Sequence, residues 1–219
     1  MQSILTIPSP NTDRSLLTLA ELRSAVGVTD NSQDAELTTL GDYISAIITR
    51  ACKVPTSGAI PPTLRLETVV ETFRVPYDEY YSPLYLSRKP VVAITTVTEA
   101  GSSLIASQYE VDGDALHRLS GDARIGWGVG THVVTYSAGW DTVPDDLKFA
   151  AIRMVQAEWS TGGVESSRDP MLKRELIVGV REREYWVDPT MTESQSSLPP
   201  DVKDMLDVGG YIYKWTWMR

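Results

Sequence analysis

Apolar residues recur along this chain with two different spacings, and the switches between them divide it. After a tail holding Pro8 and Pro10, Thr18-Leu19-Ala20-Glu21 has the hydroxyl-x-x-Glu spacing of a capping box, which predicts a short helix to about Val26, ended by Gly27. Asp30, Ser32 and Asp34 supply caps and first-turn charge for a second helix, in which Leu37, Leu40, Ile44, Ile47, Ile48 and Ala51 recur at helical spacing. One face of that helix must be buried. Residues 55–62 turn to Pro, Gly, Ser and Thr, marking a linker. The spacing then changes. Residues 66–75 and 91–98 are rich in β-branched side chains and bounded by Pro76 and Pro90, while 108–111, 115–119 and 132–136 read as shorter strands separated by clusters such as Asp112-Gly113-Asp114 and Gly126-Trp127-Gly128. These predict an antiparallel module of about five or six strands.

Helical spacing returns at Pro144-Asp145-Asp146, with proline at a first helical position, two acids in the first turn and a stripe of Leu147, Ala151, Met154, Val155 and Trp159. This helix is the natural partner of the second one. Residues 162–198 are polar and charged with no sustained helical period, and predict a long arm or loop suited to a contact between subunits, with Arg168, Arg181, Arg183, Tyr185 and Trp186 as its candidate contact residues. Pro200 to Leu206, closed by Gly209-Gly210, is a short capped helix. In the last residues Tyr211, Tyr213, Trp215 and Trp217 alternate with Ile212, Lys214, Thr216 and Met218, the pattern of a strand with one aromatic face. Such a face expects a partner surface, either another chain reached by strand addition or the chain's own β module. The layout predicted is α+β: a small helical bundle core (1–54 plus 142–161), with Leu40, Ile44, Ile47, Leu147, Ala151, Met154 and Trp159 at its centre, an inserted antiparallel β module (55–141), an extended arm (162–198), and a short helix with an aromatic docking tail (199–219).

Charge and composition narrow the function. The 219 residues carry 20 Lys and Arg against 29 Asp and Glu, a formal balance of -9, the wrong sign for gripping a phosphate backbone. The same acidity suits a channel wall that DNA slides past without sticking. No apolar run approaches the roughly 18 to 20 residues of a membrane span, and the first residues, Met1-Gln2-Ser3-Ile4-Leu5, lack the pattern of a secretory signal, so synthesis in the cytoplasm and no membrane contact are expected. The single cysteine, Cys52, falls at the end of the second helix and reads as a buried small hydrophobe.

Candidate chemistry is sparse. The only histidines, His117 and His132, have no second His or Cys at ligand spacing, so no metal is predicted. Neither Cys52 nor any serine has a base assigned to it by position, and no catalytic residue or cofactor is predicted. Asp112, Asp114 and Asp122 sit beside Gly113 and Gly121 and read as turns before they read as a carboxylate or calcium site. Gly126-Trp127-Gly128-Val129-Gly130 lacks the following Lys-Ser or Lys-Thr of a phosphate loop and precedes a strand. A carbohydrate-binding or hydrolytic module would use Tyr80, Tyr81 and Trp127 as stacking platforms; ordinary packing is the competing reading of those rings.

The order of parts resembles the head-tail connector family of tailed bacteriophages. Thr18-Leu19-Ala20-Glu21-Leu22-Arg23, then Gly27-Val28-Thr29-Asp30 and an acid-capped helix, is similar to that family's opening. Val133-Val134-Thr135-Tyr136-Ser137-Ala138-Gly139-Trp140 followed by Val143-Pro144-Asp145-Asp146-Leu147-Lys148 resembles its most telling stretch, a strand ending in Tyr-x-Ala-Gly-aromatic and then Val-Pro, an acidic turn and a helix. Pro200-Asp201-Val202-Lys203-Asp204-Met205-Leu206 resembles a motif near the C-terminus of its longer members. The chain departs from the pattern in the aromatic tail and around 172–185. The resemblance implies a non-enzymatic adaptor in the virion neck, a ring of about twelve copies seated on the portal protein and extending the DNA channel toward a stopper or tail-terminator protein. A stopper or tail-terminator ring is the nearest alternative.

Overall fold

The computed structural model describes residues 2–77, 83–162, 174–177, 181–184 and 198–213 of the chain. The fold is α+β, with two apolar cores.

The first core is helical. Helix α1 (Leu19–Val26) begins at Thr18, whose hydroxyl accepts from the Glu21 amide while the Glu21 carboxylate accepts from the Thr18 amide at 2.7 Å, a closed capping box. Helix α2 (Asp34–Ala51) follows. It is held against α1 by an Arg23–Asp34 ion pair and by a close approach at Gly41, where a Cβ would lie 2.8 Å from Leu22 Cδ1. Helix α3 (Asp145–Gly162) packs on both, and α4 (Pro200–Val208) packs on α3. Ile44, Leu147, Ala151 and Met154 are buried in this cluster, with Leu40, Ile47 and Trp159 packed against it. Val202 and Leu206 of α4 belong to it too, so a helix from the far end of the sequence closes a core begun by α1 and α2.

The second core lies under a five-stranded antiparallel sheet ordered β1-β2-β9-β4-β5. Its members are β1 (Gln2–Ser9), β2 (Glu67–Val75), β4 (Val91–Glu99), the two-residue β5 (Ser102–Ser103) and β9 (Gly130–Ala138). Strand β2 buries every second side chain, from Glu67 through Val69, Glu71 and Phe73 to Val75. A smaller sheet is ordered β3-β7-β6, from β3 (Leu84–Tyr85), β6 (Tyr109–Asp112) and β7 (Ala115–Ser120), with β8 (Ala123–Ile125) also paired to β7.

The structure departs from the sequence expectation in four places. The N-terminal tail is an edge strand: Gln2 to Thr6 pair in continuous register with Arg74 to Val70, and the register shifts before Ser9, around Pro8. Proline is tolerated there because only one side of an edge strand is paired. Among the described residues the β module has eight strands in two sheets where about five or six strands were expected, and a strand from outside its predicted bounds joins the larger. The predicted arm contains a hairpin of β10 (Arg174–Ile177) and β11 (Arg181–Glu184), whose register sets Arg174 across from Glu184 and Glu175 across from Arg183. Finally, residues 211–213 are irregular, and Tyr211 and Tyr213 are both buried in the helical core in place of lining an exposed strand face. Gly210, in left-handed conformation, turns the chain there, so the alternation of Tyr and Ile does not report a strand.

Candidate functional site

The two cores meet at a joint built from four stretches distant in sequence. Strand β9 ends at Ala138, and Gly139 follows with φ of 107°, a conformation that favours glycine. A Cβ on Gly139 would also lie 2.4 Å from the Arg65 carbonyl oxygen. The Gly139 amide donates to Pro90 O at 3.0 Å, the Trp140 amide to Leu64 O at 2.9 Å, and the Leu66 amide to Trp140 O at 3.0 Å. Three residues on, Val143 is buried in the helical core and α3 begins at Asp145. The Tyr136-x-Ala138-Gly139-Trp140 and Val143-Pro144 stretch therefore carries the chain from sheet to bundle, and its glycine and aromatic residue are both used for that passage.

Beneath the joint lies a buried polar cluster. Arg88, 1% exposed, donates from Nη2 to Glu67 Oε2 and Thr63 O, both at 2.9 Å, and from Nη1 to Pro55 O at 2.9 Å. It thus ties the linker after α2 to the sheet. Glu71 accepts from the Ser87 amide at 3.0 Å, the Ser87 hydroxyl at 2.5 Å and the Tyr136 hydroxyl at 2.9 Å. Burial, and next the charge of Glu71, push the Tyr136 phenol well above its ordinary range. The Glu67 carboxylate also accepts from the Asn11 amide at 2.9 Å, which anchors the segment leaving β1. Buried ions need partners: Arg88 pairs with Glu67 and Glu71 is held by three donors, while Arg88 Nε is buried with no hydrogen-bond partner.

The C-terminal residues fasten the joint from outside. The Tyr213 amide donates to Cys52 O at 2.8 Å, its hydroxyl donates to Lys89 O at 2.6 Å and accepts from the Lys89 amide at 3.0 Å, and the Lys89 ammonium lies 5.1 Å from the ring centroid. One residue therefore bonds to both modules, its backbone to the helical core and its side chain to the β module. Tyr211 stacks edge-on against Trp140, centroids 6.1 Å apart, and its hydroxyl donates to Asp146 at 2.5 Å in the first turn of α3. Burial raises both phenol pKa values, aided for Tyr211 by the bond to Asp146. The Cys52 thiol beneath them is pushed up to about 12 by burial.

Of the other residues singled out by sequence, Asp112, Asp114 and Asp122 stand at the turns joining β6 to β7 and β7 to β8. Trp127 is fully buried, with Nε1 donating to Leu116 O at 3.1 Å and its ring against His132, so it offers no sugar-stacking platform. His132 is buried, its Nε2 2.8 Å from Gly128 O. Among the described residues no group of three or more His, Cys, Asp or Glu is placed to hold a metal ion. Arg181 and Arg183 lie on β11; Arg168, Tyr185, Trp186, Trp215, Trp217, Tyr80 and Tyr81 lie outside the described residues. The cluster of Glu67, Glu71, Arg88 and Tyr136 escaped the sequence reading. Its signal was present: in β2 the acids at 67 and 71 share the alternating face of Val69, Phe73 and Val75, and acids on a buried face demand partners.

No family model matches the chain, and no curated protein matches it. Solved structures similar to it include a chain from the neck of an empty GTA particle computed with C6 symmetry, 17% identical over 72% of this chain and 84% of that one, with a TM-score of 0.46. A chain from the virion of a native gene transfer agent particle is 16% identical over 76% and 89%, TM-score 0.46. A third, from the neck of a native GTA particle computed with C12 symmetry, is 17% identical over 72% and 82%, TM-score 0.45.

Proposed function

We propose that this chain is a structural, non-enzymatic head-to-tail adaptor of a tailed bacteriophage, forming a ring beneath the portal in the virion neck and linking capsid to tail. The observation that carries the reading is the joint. The stretch most similar to the connector family, Val133 to Trp140 followed by Val143 to Lys148, contains the passage that joins the β module to the helical bundle, with Gly139 and Trp140 held by backbone bonds to Leu64, Leu66 and Pro90. A motif used wholly for architecture suits a protein whose product is a shape. The formal charge of -9 supports a channel that passes DNA without binding it.

In this reading the segment after Tyr213, with Trp215 and Trp217, supplies the contact to the portal, and the segment of 162–198 reaches the neighbouring copy. Tyr211 and Tyr213 serve as its root in place of its contact face. The test is native mass spectrometry of the chain alone and with its cognate portal, repeated with residues 214–219 removed. A portal-bound ring that needs those residues is the expected result. An intact chain that ignores the portal and binds the tail instead overturns the adaptor reading in favour of a stopper or tail-terminator ring.

A further inference from the structure

Among the described residues the five-stranded sheet has an open edge along β1 and another along residues 91–96 of β4, and neither stretch carries a charged side chain. Among the described residues no strand pairs with the outer side of β1, and β4 is covered only where β5 pairs with Thr98 and Glu99 and the Leu104 amide donates to Val97 O at 2.8 Å. The free stretch of β4, residues 91–96, is Val-Val-Ala-Ile-Thr-Thr; the regular part of β1 is Gln-Ser-Ile-Leu-Thr. Soluble proteins guard such edges with lysine, proline, bulges, inward-pointing charge or a covering loop, because unpaired amides and carbonyls template further strands; here Pro8 stands past the regular part of β1 and β4 has two register shifts, but no charge guards either stretch. In a chain with a net charge of -9, acids absent from both edges leave a seam along which two copies do not repel. Two of the exposed large apolar residues lie on these strands, Ile4 on β1 and Val92 on β4.

Strand direction adds a geometric condition. Each of β1, β2, β9 and β4 runs antiparallel to its neighbour, so β1 and β4 point in opposite directions. When one copy is carried onto the next by a rotation that keeps the sheets roughly aligned, β1 of one lies antiparallel to β4 of the other. Two bulges in β4 bend that strand and raise its twist, so successive copies turn relative to one another instead of stacking into a flat fibre.

We infer that β1 and the free edge of β4 are the two halves of one heterologous interface, through which a second copy of this chain extends the sheet. The inference rests on the ring reading and assigns that ring a pair of surfaces. The experiment is hydrogen–deuterium exchange of the full chain, free and assembled with portal, together with native mass spectrometry of Ile4→Lys, Val92→Lys, the double variant, and the charge-paired Ile4→Glu with Val92→Lys. Both side chains are exposed, and circular dichroism confirms folding of each variant. Expected are slowed exchange in residues 3–6 and 91–96 on assembly, ring yield lowered about tenfold or more by the double lysine variant, and recovery in the charge-paired one. Rings that form with both edges still exchanging freely overturn the seam and leave the ring reading standing. Open filaments with both edges protected support the seam and overturn the ring. A wild-type chain that stays monomeric with portal present overturns both.

Discussion

The helical core and the sheet core are held together by different means. In the bundle the buried polar side chains answer to nearby backbone: Ser45 donates to Gly41 O at 2.7 Å within its own helix and accepts from the Leu16 amide at 3.0 Å. Ion pairs at its surface, Arg23–Asp34, Lys148–Glu21 and Arg153–Asp201, join the helices from outside, and its buried interior is mostly apolar contact, which is non-directional and tolerates repacking. In the sheet core and the joint below it, Glu67, Glu71, Arg88 and Tyr136 hold one another at fixed angles across long sequence separations. A hydrophobic cluster asks that residues be apolar and of suitable size. A buried ion cluster asks for one arrangement, so the relative setting of the two modules is fixed by the joint and not by the bundle.

The comparison is broken or sharpened most strongly at Arg88. Arg88→Ala leaves Glu67 buried without its cation and should cost about 3–5 kcal/mol, read from urea unfolding, whereas Arg88→Met with Glu67→Gln should restore most of that loss. An Arg88→Ala protein within about 1 kcal/mol of the parent would show the cluster to be incidental. Next comes Ile44→Ala, which opens a cavity at a fully buried position of α2 and should cost about 3 kcal/mol. Amide exchange should quicken in α2 and α3 while β2 and β9 keep their protection; equal quickening in both would mean that the cores open as one unit.

Gly139→Ala should cost about 2 kcal/mol or more, because the new Cβ meets the Arg65 carbonyl as well as an unfavourable φ. Gly27→Ala, at φ of 74° with open space around it, isolates the backbone part and should cost only about 1 kcal/mol by thermal unfolding. Tyr213→Phe should cost a similar amount, about 1 kcal/mol for the lost bonds to Lys89. It carries a pH signature. Cys52, Tyr136, Tyr211 and Tyr213 all hold their protons to higher pH in the fold than in the unfolded chain. Their contribution is complete below the ordinary thiol and phenol values and is lost between those and the raised ones, the decline starting at the ordinary thiol value of about 9. The melting temperature should therefore decline above about pH 9, and less steeply in Tyr213→Phe; an unchanged slope would remove Tyr213 from the set.

Much of the architecture was legible in the sequence because local signals are written locally. The Thr18–Glu21 box, the stripe of α2 and the acidic start of α3 need no knowledge of the rest of the chain. The strands of β2, β4 and β9 were visible by composition, since β-branched runs report a pleated surface whichever partner covers it. Strand β1 was not, because it pairs with β2 from Gln2 to Arg74, far along the chain, and nothing in the local sequence announces a partner so distant. Tyr211 and Tyr213 misled for the opposite reason. Their alternation is a true local pattern, but the bend at Gly210 and the fit against Trp140, Asp146 and Lys89 override it. The buried Arg88 looked like any surface arginine, and only the acids in β2 hinted at it.

The membership of the helical core also sets a timetable for biosynthesis. Leu17 and Leu22 leave the ribosome early, Leu147 and Met154 follow after the whole β module, and Leu198, Leu206, Tyr211 and Tyr213 come later still. At a synthesis rate of roughly 5–20 residues per second, the apolar stripes of α1 and α2 wait several seconds or more for the helices that cover them. The bundle therefore buries its full set of core residues only after translation has passed Tyr213.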